Sequence, residues 1–188
     1  RFAGRRWQCP VVDLDALAAA DARLAGWVHR RLVPKLLVAT QTRVLHAALD
    51  ATGALVPSVP VIALEPHDPD DLWRLAAVLW NPLVSVHSAE RFAGAGLSAA
   101  ALRLSARQLR SLPLPVDADA WSHAATLLRE GVGTATRSAP NTDHLPERLF
   151  GDVARSMAAA YDAGPMAADV AMRWWHGVSD RHGPAMFL

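Results

Sequence analysis

The stretch from Pro34 to Pro115 constrains the fold more than any other part of this 188-residue chain. It opens with a continuous apolar run of strand length and ends about seventy residues later on Leu-Pro-Leu-Pro. Between these markers lie a strand-turn-strand pattern and one strongly amphipathic helix. Strands grouped ahead of helices are typical of α+β domains. We therefore expect an α+β fold with a small mixed or antiparallel sheet, formed mainly by residues 35–64 and 102–116.

Three apolar runs in the first half of this stretch have the length of strands. They are Lys35–Thr40, Val44–Leu49 and Val59–Leu64. Asp50–Gly53 is a turn signal, and Ala54–Val56 restarts an extended segment after it. The pattern therefore predicts a hairpin, followed by a strand whose prolines favour an edge position.

A central helix is predicted over Asp70–Trp80, because acidic side chains and a proline mark its start and apolar residues cover a wide face. Asn81 and Pro82 should end or kink it, with a second helix over Leu83–Phe92. A short strand at Leu102–Leu104 and one helical turn at Ser105–Leu109 complete the prediction for this stretch.

The flanking segments read as helical. A helix is predicted over Val11–Val33, and alanine-rich helices follow Val116. These cover Asp117–Glu130, Leu145–Tyr161 and Pro165–Val178, with a loop at Gly131–Thr142 and a loose end at Arg181–Leu188. We accordingly expect an N-terminal connector (residues 1–33), an α+β domain (34–116) and a C-terminal helical region (117–188).

Composition narrows the class of protein. A single cysteine, Cys9, excludes an internal disulfide and a cysteine-based zinc site. No apolar run is long enough to span a membrane, so a cytoplasmic protein without a membrane partner is expected. The first residues contain no leader-like apolar segment and no initiator methionine, which indicates that the chain is a fragment of a longer protein.

Charge is unevenly distributed although the formal net charge is only +1. Residues 1–43 carry eight basic and three acidic side chains, and residues 91–110 carry four arginines and no acid. If these two segments meet in the fold, they form one positive face that suits a phosphate backbone. The alternative is that the arginines are solvated or pair with nearby acids.

No catalytic or metal-ligating motif is present. The eight histidines stand apart, without the helical His-x-x-x-His spacing of a metal site. The sequence also has no G-x-S-x-G nucleophile elbow and no glycine-rich loop that would hold a nucleotide. We therefore predict no catalytic residue, metal or cofactor within this chain.

Seven tryptophans against one tyrosine is an unusual ratio. Four of them occupy apolar helical faces and are predicted to lie in the core: Trp27, Trp73, Trp80 and Trp121. Trp174 and Trp175 are adjacent, so one of them should face away from whatever buries the other, whereas Trp7 stays unassigned. An exposed tryptophan would suit a partner interface or a base-stacking role.

The order of elements in Pro34–Pro115 resembles the C-terminal target-recognition region of N6-adenine DNA methyltransferases, including those with a TaqI-like specificity domain. It is also similar to the recognition domains of type I restriction specificity subunits. The shared features are a Pro-Lys-apolar strand leading into a hairpin with an Asp-Gly type turn, a helix with a pattern like Leu-x-x-x-Leu-Asn-Ser/Pro, and a basic strand-and-turn with a Leu-Pro-Leu-Pro exit. In this chain they correspond to Pro34–Gly53, Leu75–Pro82 and Leu102–Pro115. The helix with Trp121 after this exit also looks like actinobacterial members.

The resemblance implies a DNA target-recognition domain in a bacterial restriction-modification or related defence system. A catalytic domain outside this chain would bind S-adenosylmethionine and methylate adenine, and the partners would be double-stranded DNA and that domain. Polar residues at the end of the first strand would contact bases: Gln41, Thr42 and Arg43. Phosphate contacts would come from Lys35, Arg91, Arg103, Arg107 and Arg110.

Two departures from the family pattern limit what the resemblance carries. Trp80 stands between leucine and asparagine, where the family more often has leucine directly before asparagine. The family's cofactor-binding glycine motif and its Asn-Pro-Pro-Tyr box are absent, and Asn81-Pro82-Leu83-Val84 lacks the second proline and the aromatic residue. Methyltransferase activity is therefore not assigned to this chain.

Other interpretations stay open at this point. Gln41, Thr42 and Arg43 also suit an ordinary polar hairpin. The whole chain could be a protein-interaction or assembly module that uses its acidic C-terminal helices and an exposed tryptophan, or an enzyme whose site has no recognisable motif.

Overall fold

The fold is α+β, as expected from the sequence, in a computed structural model that describes residues 10–94, 101–138, 145–179 and 185–187. The helices in these ranges are α1 (Leu14–Ala20), α2 (Ala22–His29), α3 (Leu72–Leu79), α4 (Pro82–Phe92), α5 (Ala106–Arg110), α6 (Ala118–Ser138), α7 (Glu147–Ala160) and α8 (Pro165–Val178). The strands are β1 (Lys35–Ala39), β2 (Gln41–Thr42), β3 (Ala47–Asp50), β4 (Val61–Leu64), β5 (Leu102–Arg103) and β6 (Ala185–Phe187).

The main sheet has the strand order β4-β1-β3-β6. Strand β1 pairs antiparallel with β3 on one side and with β4 on the other, whereas β6 pairs parallel with β3. The prediction of a loose chain end was wrong for Ala185–Phe187, because these residues add to the open edge of β3. Strand β5 lies outside this sheet and forms a separate two-stranded ribbon with β2.

Alternate side chains of β1 and β3 face opposite sides of the main sheet, as the two-residue period of a strand requires. Leu36 and Leu49, a cross-strand pair, face the large apolar cluster built with the helices. Leu37 and Ala48, the next pair, face a smaller cluster that includes Leu55. The continuous apolar run of β1 is thus explained by burial on both faces.

The predicted hairpin after β3 does not form. The backbone N–H groups of Ala54 and Leu55 donate instead to the side-chain carboxylate of Asp50, at 3.1 and 3.0 Å. These bonds fold residues 51–55 into a tight loop over the end of the sheet. Gly53 lies inside this loop with a positive φ of 71°, directly against the backbone of Val33.

The corner between α3 and α4 matches the prediction for Asn81 and Pro82. Helix α3 ends at Leu79, and the Asn81 side chain accepts the Leu83 N–H at 3.0 Å to cap α4. The extra Trp80 fits because its indole N–H donates to the Ala47 carbonyl oxygen at 3.0 Å. This residue therefore ties the helical corner to strand β3.

The C-terminal helices share one core with the sheet. Helix α6 packs against α3 and α7, and its Leu128 is buried in the same cluster as Leu36 of β1. A loop was predicted at Gly131–Thr142, but this was wrong for its first part, because α6 continues through Gly131 and ends at Ser138. Residues 139–142 lie outside the described ranges. Helices α7 and α8 confirm the predictions for those segments.

The Leu-Pro-Leu-Pro exit is held by the end of α7. The Tyr161 hydroxyl donates to the Pro113 carbonyl oxygen at 2.9 Å, and the N–H groups of Val116 and Asp117 donate to the Ala160 carbonyl oxygen. Burial raises the pKa of the Tyr161 phenol above its ordinary value, so this hydroxyl stays a donor at neutral pH.

The N-terminal segment forms two helices where one was predicted. Asp21 ends α1 and its side chain accepts the Leu24 N–H to cap α2. Trp27 was predicted to be core but is exposed, with the Arg31 guanidinium 3.8 Å above its ring. Helix α1 has no buried residue, whereas α2 buries Ala25 and Val28.

The other tryptophans follow the prediction more closely. Trp80 and Trp175 are buried, whereas Trp73, Trp121 and Trp174 are half-buried against the main cluster. The adjacent pair thus divides as expected, with Trp175 inside and Trp174 turned further outward. Trp7 lies outside the described residues.

Candidate nucleic-acid interface

The β2–β5 ribbon brings together two chain segments that the sequence had marked separately as polar and basic. Gln41 pairs with Arg103, and Thr42 pairs with Leu102, in antiparallel register. The Leu104 N–H extends the ladder by donating to the Thr40 carbonyl oxygen at 2.9 Å. The ribbon therefore joins the end of the first main-sheet strand to the segment that leads into α5.

Such short strands are not stable alone, and apolar anchors hold the ribbon to the core. Leu102 has no exposed surface and Leu104 is 3% exposed. Ala93, just after α4, forms a bridge with Leu102 on the side away from Thr42. The ribbon is thus fixed from beneath by leucines and from the side by the end of α4.

Gln41 and Arg103 occupy the outer face of the ribbon. Directly opposed residues on antiparallel strands have Cβ atoms about 5 Å apart and point to the same face. Both residues are exposed, whereas Leu102, the next residue along β5, is buried on the inner face. A carboxamide and a guanidinium therefore stand side by side on a supported surface.

Thr42 is placed differently from the other two predicted base contacts. It is half-buried and shares the inner face with its partner Leu102. Its hydroxyl donates to the Val44 carbonyl oxygen at 2.5 Å, which stabilises the bend after β2. The structure thus gives the Thr42 hydroxyl a role in the local backbone, and its contact with bases stays a prediction.

Two exposed arginines, Arg43 and Arg91, lie close to the ribbon, one just after strand β2 and one at the end of α4. Arg43 follows β2 directly and is exposed in the bend. Arg91 is exposed in the last turn of α4, two residues before the bridge between Ala93 and Leu102. The structure thus brings one arginine from the first basic segment and one from the second to the neighbourhood of the ribbon.

Helix α5 supplies two more exposed arginines directly after the ribbon. Ser105 caps it in a capping box: its hydroxyl accepts the Gln108 N–H, and the Gln108 side chain accepts the Ser105 N–H at 2.8 Å. Leu109 is buried and holds the helix to the core, while Arg107 and Arg110 are exposed. The cap and the anchor fix the backbone from which these two arginines project.

Lys35 was predicted to contact phosphate, and this prediction was wrong. The side chain is fully buried, and its ammonium group donates to the Asp50 carboxylate at 2.7 Å. It also donates to the carbonyl oxygens of Arg31 and Val33, both at 2.9 Å. All three N–H groups are therefore used inside the protein, and none is left for a ligand.

The exposed basic set around the ribbon consists of five arginines. Within the described ranges, none of them forms an ion pair with an acidic side chain. Arginines elsewhere are engaged, for example Arg74 with Asp71 and Arg155 with Asp152. The arginine set is Arg43, Arg91, Arg103, Arg107 and Arg110.

The pairing of Gln41 with Arg103 is the feature that sequence reasoning missed. Arg103 was placed among the phosphate contacts because it belongs to a basic cluster. The available signal was the alternation of Leu102-Arg103-Leu104, in which one polar residue lies between two apolar ones. That alternation indicates a strand with Arg103 alone on its outer face, but not which strand it joins.

Other classes of site find little support in the part of the chain that is described. No group of three histidine, cysteine or acidic side chains there is arranged to hold a metal ion. Of the helices in those ranges, none combines the length and the apolar character that a membrane crossing requires.

Comparison with protein-family models, with curated proteins and with solved structures found no match.

Proposed function

We propose that this chain carries a DNA target-recognition domain of an N6-adenine DNA methyltransferase from a restriction-modification or related defence system. The domain binds duplex DNA and reads its sequence for a catalytic domain that lies outside the chain and uses S-adenosylmethionine. The observation that carries the proposal is the ribbon that places Gln41 beside Arg103 within a set of exposed arginines that form no ion pair with any acidic residue the structure describes. The order of motifs from Pro34 to Pro115 supports the methyltransferase assignment.

The arginine set suits a phosphate backbone for a physical reason. Arginine keeps its charge at any physiological pH and offers paired N–H donors that match phosphate oxygens. A duplex releases bound counterions when such groups replace them, so affinity falls steeply as salt rises. Nearby acids weaken this effect; residues 91–110 contain none, and Glu90 directly precedes Arg91.

A protein-interaction role is the second candidate, and it rests on a different surface. The N-terminal helices expose apolar side chains, with Leu24 and Trp27 of α2 exposed by 44% and 39%. Val11 and Val12, just before α1, are also exposed. Exposed apolar patches of this kind mark contact sites for other protein chains. The two functions use separate surfaces and are therefore separable by mutation.

The test is fluorescence anisotropy of a labelled mixed-sequence duplex titrated with the 188-residue chain at several salt concentrations. We expect binding whose logarithmic affinity falls linearly with the logarithm of salt. Arg43→Ala and Arg107→Ala should each weaken binding, and Arg107→Ala, which removes a phosphate contact, should also lower the salt slope by about one. Arg129→Ala is the matched control, because it removes the same charge from an exposed position on α6, which packs against α3 and α7.

Equal losses in Arg129→Ala, Arg43→Ala and Arg107→Ala would show that only net charge matters and would contradict the proposed surface. Absence of salt-dependent binding at low salt would contradict DNA recognition by this chain. Trp27→Ala should leave DNA binding unchanged, since Trp27 belongs to the second surface.

A further inference from the structure

We propose that Gln41 and Arg103 act as one unit that reads two adjacent base pairs, an A·T pair through Gln41 and a G·C pair through Arg103. This inference rests on the proposed DNA-recognition function and gives it a sequence preference. It also moves Arg103 from the phosphate contacts to the base contacts.

The register of the ribbon sets the distance between the Gln41 and Arg103 side chains. The Cβ atoms of directly opposed residues lie about 5 Å apart. Adjacent bases on one strand rise about 3.4 Å along the duplex axis. Both side chains are long enough to absorb that small difference, so the pair suits neighbouring steps of the duplex and not distant ones. The major groove is wide enough to admit a two-stranded ribbon.

The chemistry of the two side chains then selects the bases. Glutamine donates an N–H to adenine N7 and accepts from the adenine N6 amino group, while arginine donates two N–H groups to guanine O6 and N7. Among the described residues, neither the Gln41 carboxamide nor the Arg103 guanidinium has a hydrogen-bond partner, and both side chains are exposed. Their backbones are fixed by the ladder and by buried Leu102.

The neighbouring residues have other roles, which leaves the outer face of the ribbon to this pair. Thr42 and Leu102 face inward and hold the strands together. Arg107 and Arg110 project from α5, and Arg91 from the end of α4, beside the ribbon and not on it. Those three therefore suit the phosphate backbone that flanks a groove.

The experiment is selection of preferred sites from randomised duplexes by the 188-residue chain, followed by affinity measurements on the enriched site and its single-base variants. The selected site should contain an A·T pair directly beside a G·C pair. Replacing either pair should lower affinity by about 5- to 150-fold, the range for a bidentate contact.

One variant at each position tests which base pair that side chain recognises. Arg103→Lys keeps the positive charge but loses the planar two-pronged donor geometry, so it should weaken the preference for guanine while retaining general DNA binding. Gln41→Ala should lose the preference for adenine. Arg107→Lys is the matched control and should keep both preferences. All three positions are exposed, so the unfolding midpoint should stay unchanged in each variant.

The outcomes separate the two levels of the proposal. Unchanged base preferences in both Arg103→Lys and Gln41→Ala would overturn the reading unit while leaving DNA recognition standing. A selected site whose A·T and G·C pairs are not adjacent would also overturn it. Failure of the unmodified chain to bind any duplex would overturn the reading unit and the proposed function together.

Discussion

Lys35 and Asp50 form a fully buried ion pair at the end of the main sheet, where they are also cross-strand partners. The pair is well supplied with hydrogen bonds. The carboxylate accepts from Lys35, from the Thr52 hydroxyl and from the N–H groups of Ala54 and Leu55, while the ammonium group also donates to two carbonyl oxygens. Such saturation is what allows two charges to stay in a core.

Removing Asp50 and removing Lys35 should lower the free energy of unfolding by different amounts. Asp50→Ala leaves a buried ammonium charge without its counterion, and we expect the free energy of unfolding to fall by about 3–5 kcal/mol. Lys35→Met should cost less, because the Asp50 carboxylate keeps three other donors. Urea unfolding followed by circular dichroism measures both. A larger loss in Lys35→Met than in Asp50→Ala would contradict this account.

At the scale of single elements, the loop after β3 depends on glycine for two separate reasons. Gly53 has a positive φ, and a Cβ atom there would lie 2.6 Å from the Val33 carbonyl carbon. Gly94, after α4, also has a positive φ of 83°, but a Cβ atom there would meet no atom of the described residues within 4 Å. The two positions therefore separate backbone strain from steric overlap.

We expect Gly94→Ala to lower the free energy of unfolding by about 1 kcal/mol, the cost of a left-handed backbone for alanine. Gly53→Ala should cost at least about 3 kcal/mol, because overlap with the chain entering β1 is added to that strain. Chemical unfolding of the two variants side by side gives the comparison. Equal losses would mean that the approach of Val33 is not a constraint.

At the scale of the whole molecule, the predicted boundary near residue 116 divides two segments that share one core. Helix α6 packs along α3, and the Trp121 indole N–H donates to the Arg74 carbonyl oxygen at 2.8 Å. Arg74 in turn donates to the Ser122 hydroxyl at 2.9 Å. The apolar cluster continues from the sheet through α3 into α6, α7 and α8.

A chain truncated after Val116 should therefore fail to fold cooperatively. It would expose the face of α3 that α6 covers, and the buried side chains of α6 to α8 would be missing. We expect the 188-residue chain to give one sigmoidal urea transition and the truncated chain to give none, both followed by circular dichroism. A cooperative transition in the truncated chain would establish that residues up to Val116 fold independently.

Local signals explain which parts of the fold were predictable. The burial of β1, the end of α3 and the start of α4 follow from an apolar run and an Asn-Pro capping sequence, which act over a few residues. The burial of Lys35 depends on Asp50, and the strand of Arg103 depends on Gln41, and neither pairing leaves a trace in the nearby sequence. The candidate site was accordingly predicted as two separate clusters. The pairing of β2 with β5, about sixty residues apart in the sequence, brings them together in the fold.

The division of the β2–β5 ribbon into an inner and an outer face has an evolutionary consequence. The inner residues, Thr42 and Leu102, maintain the strands, whereas Gln41 and Arg103 contribute nothing to the core. Substitutions at exposed positions of this kind usually change stability by less than about 0.5 kcal/mol. Descendants of this protein could therefore exchange the two outer residues on an unaltered scaffold, and under the proposed function each exchange would change the base pairs that are preferred.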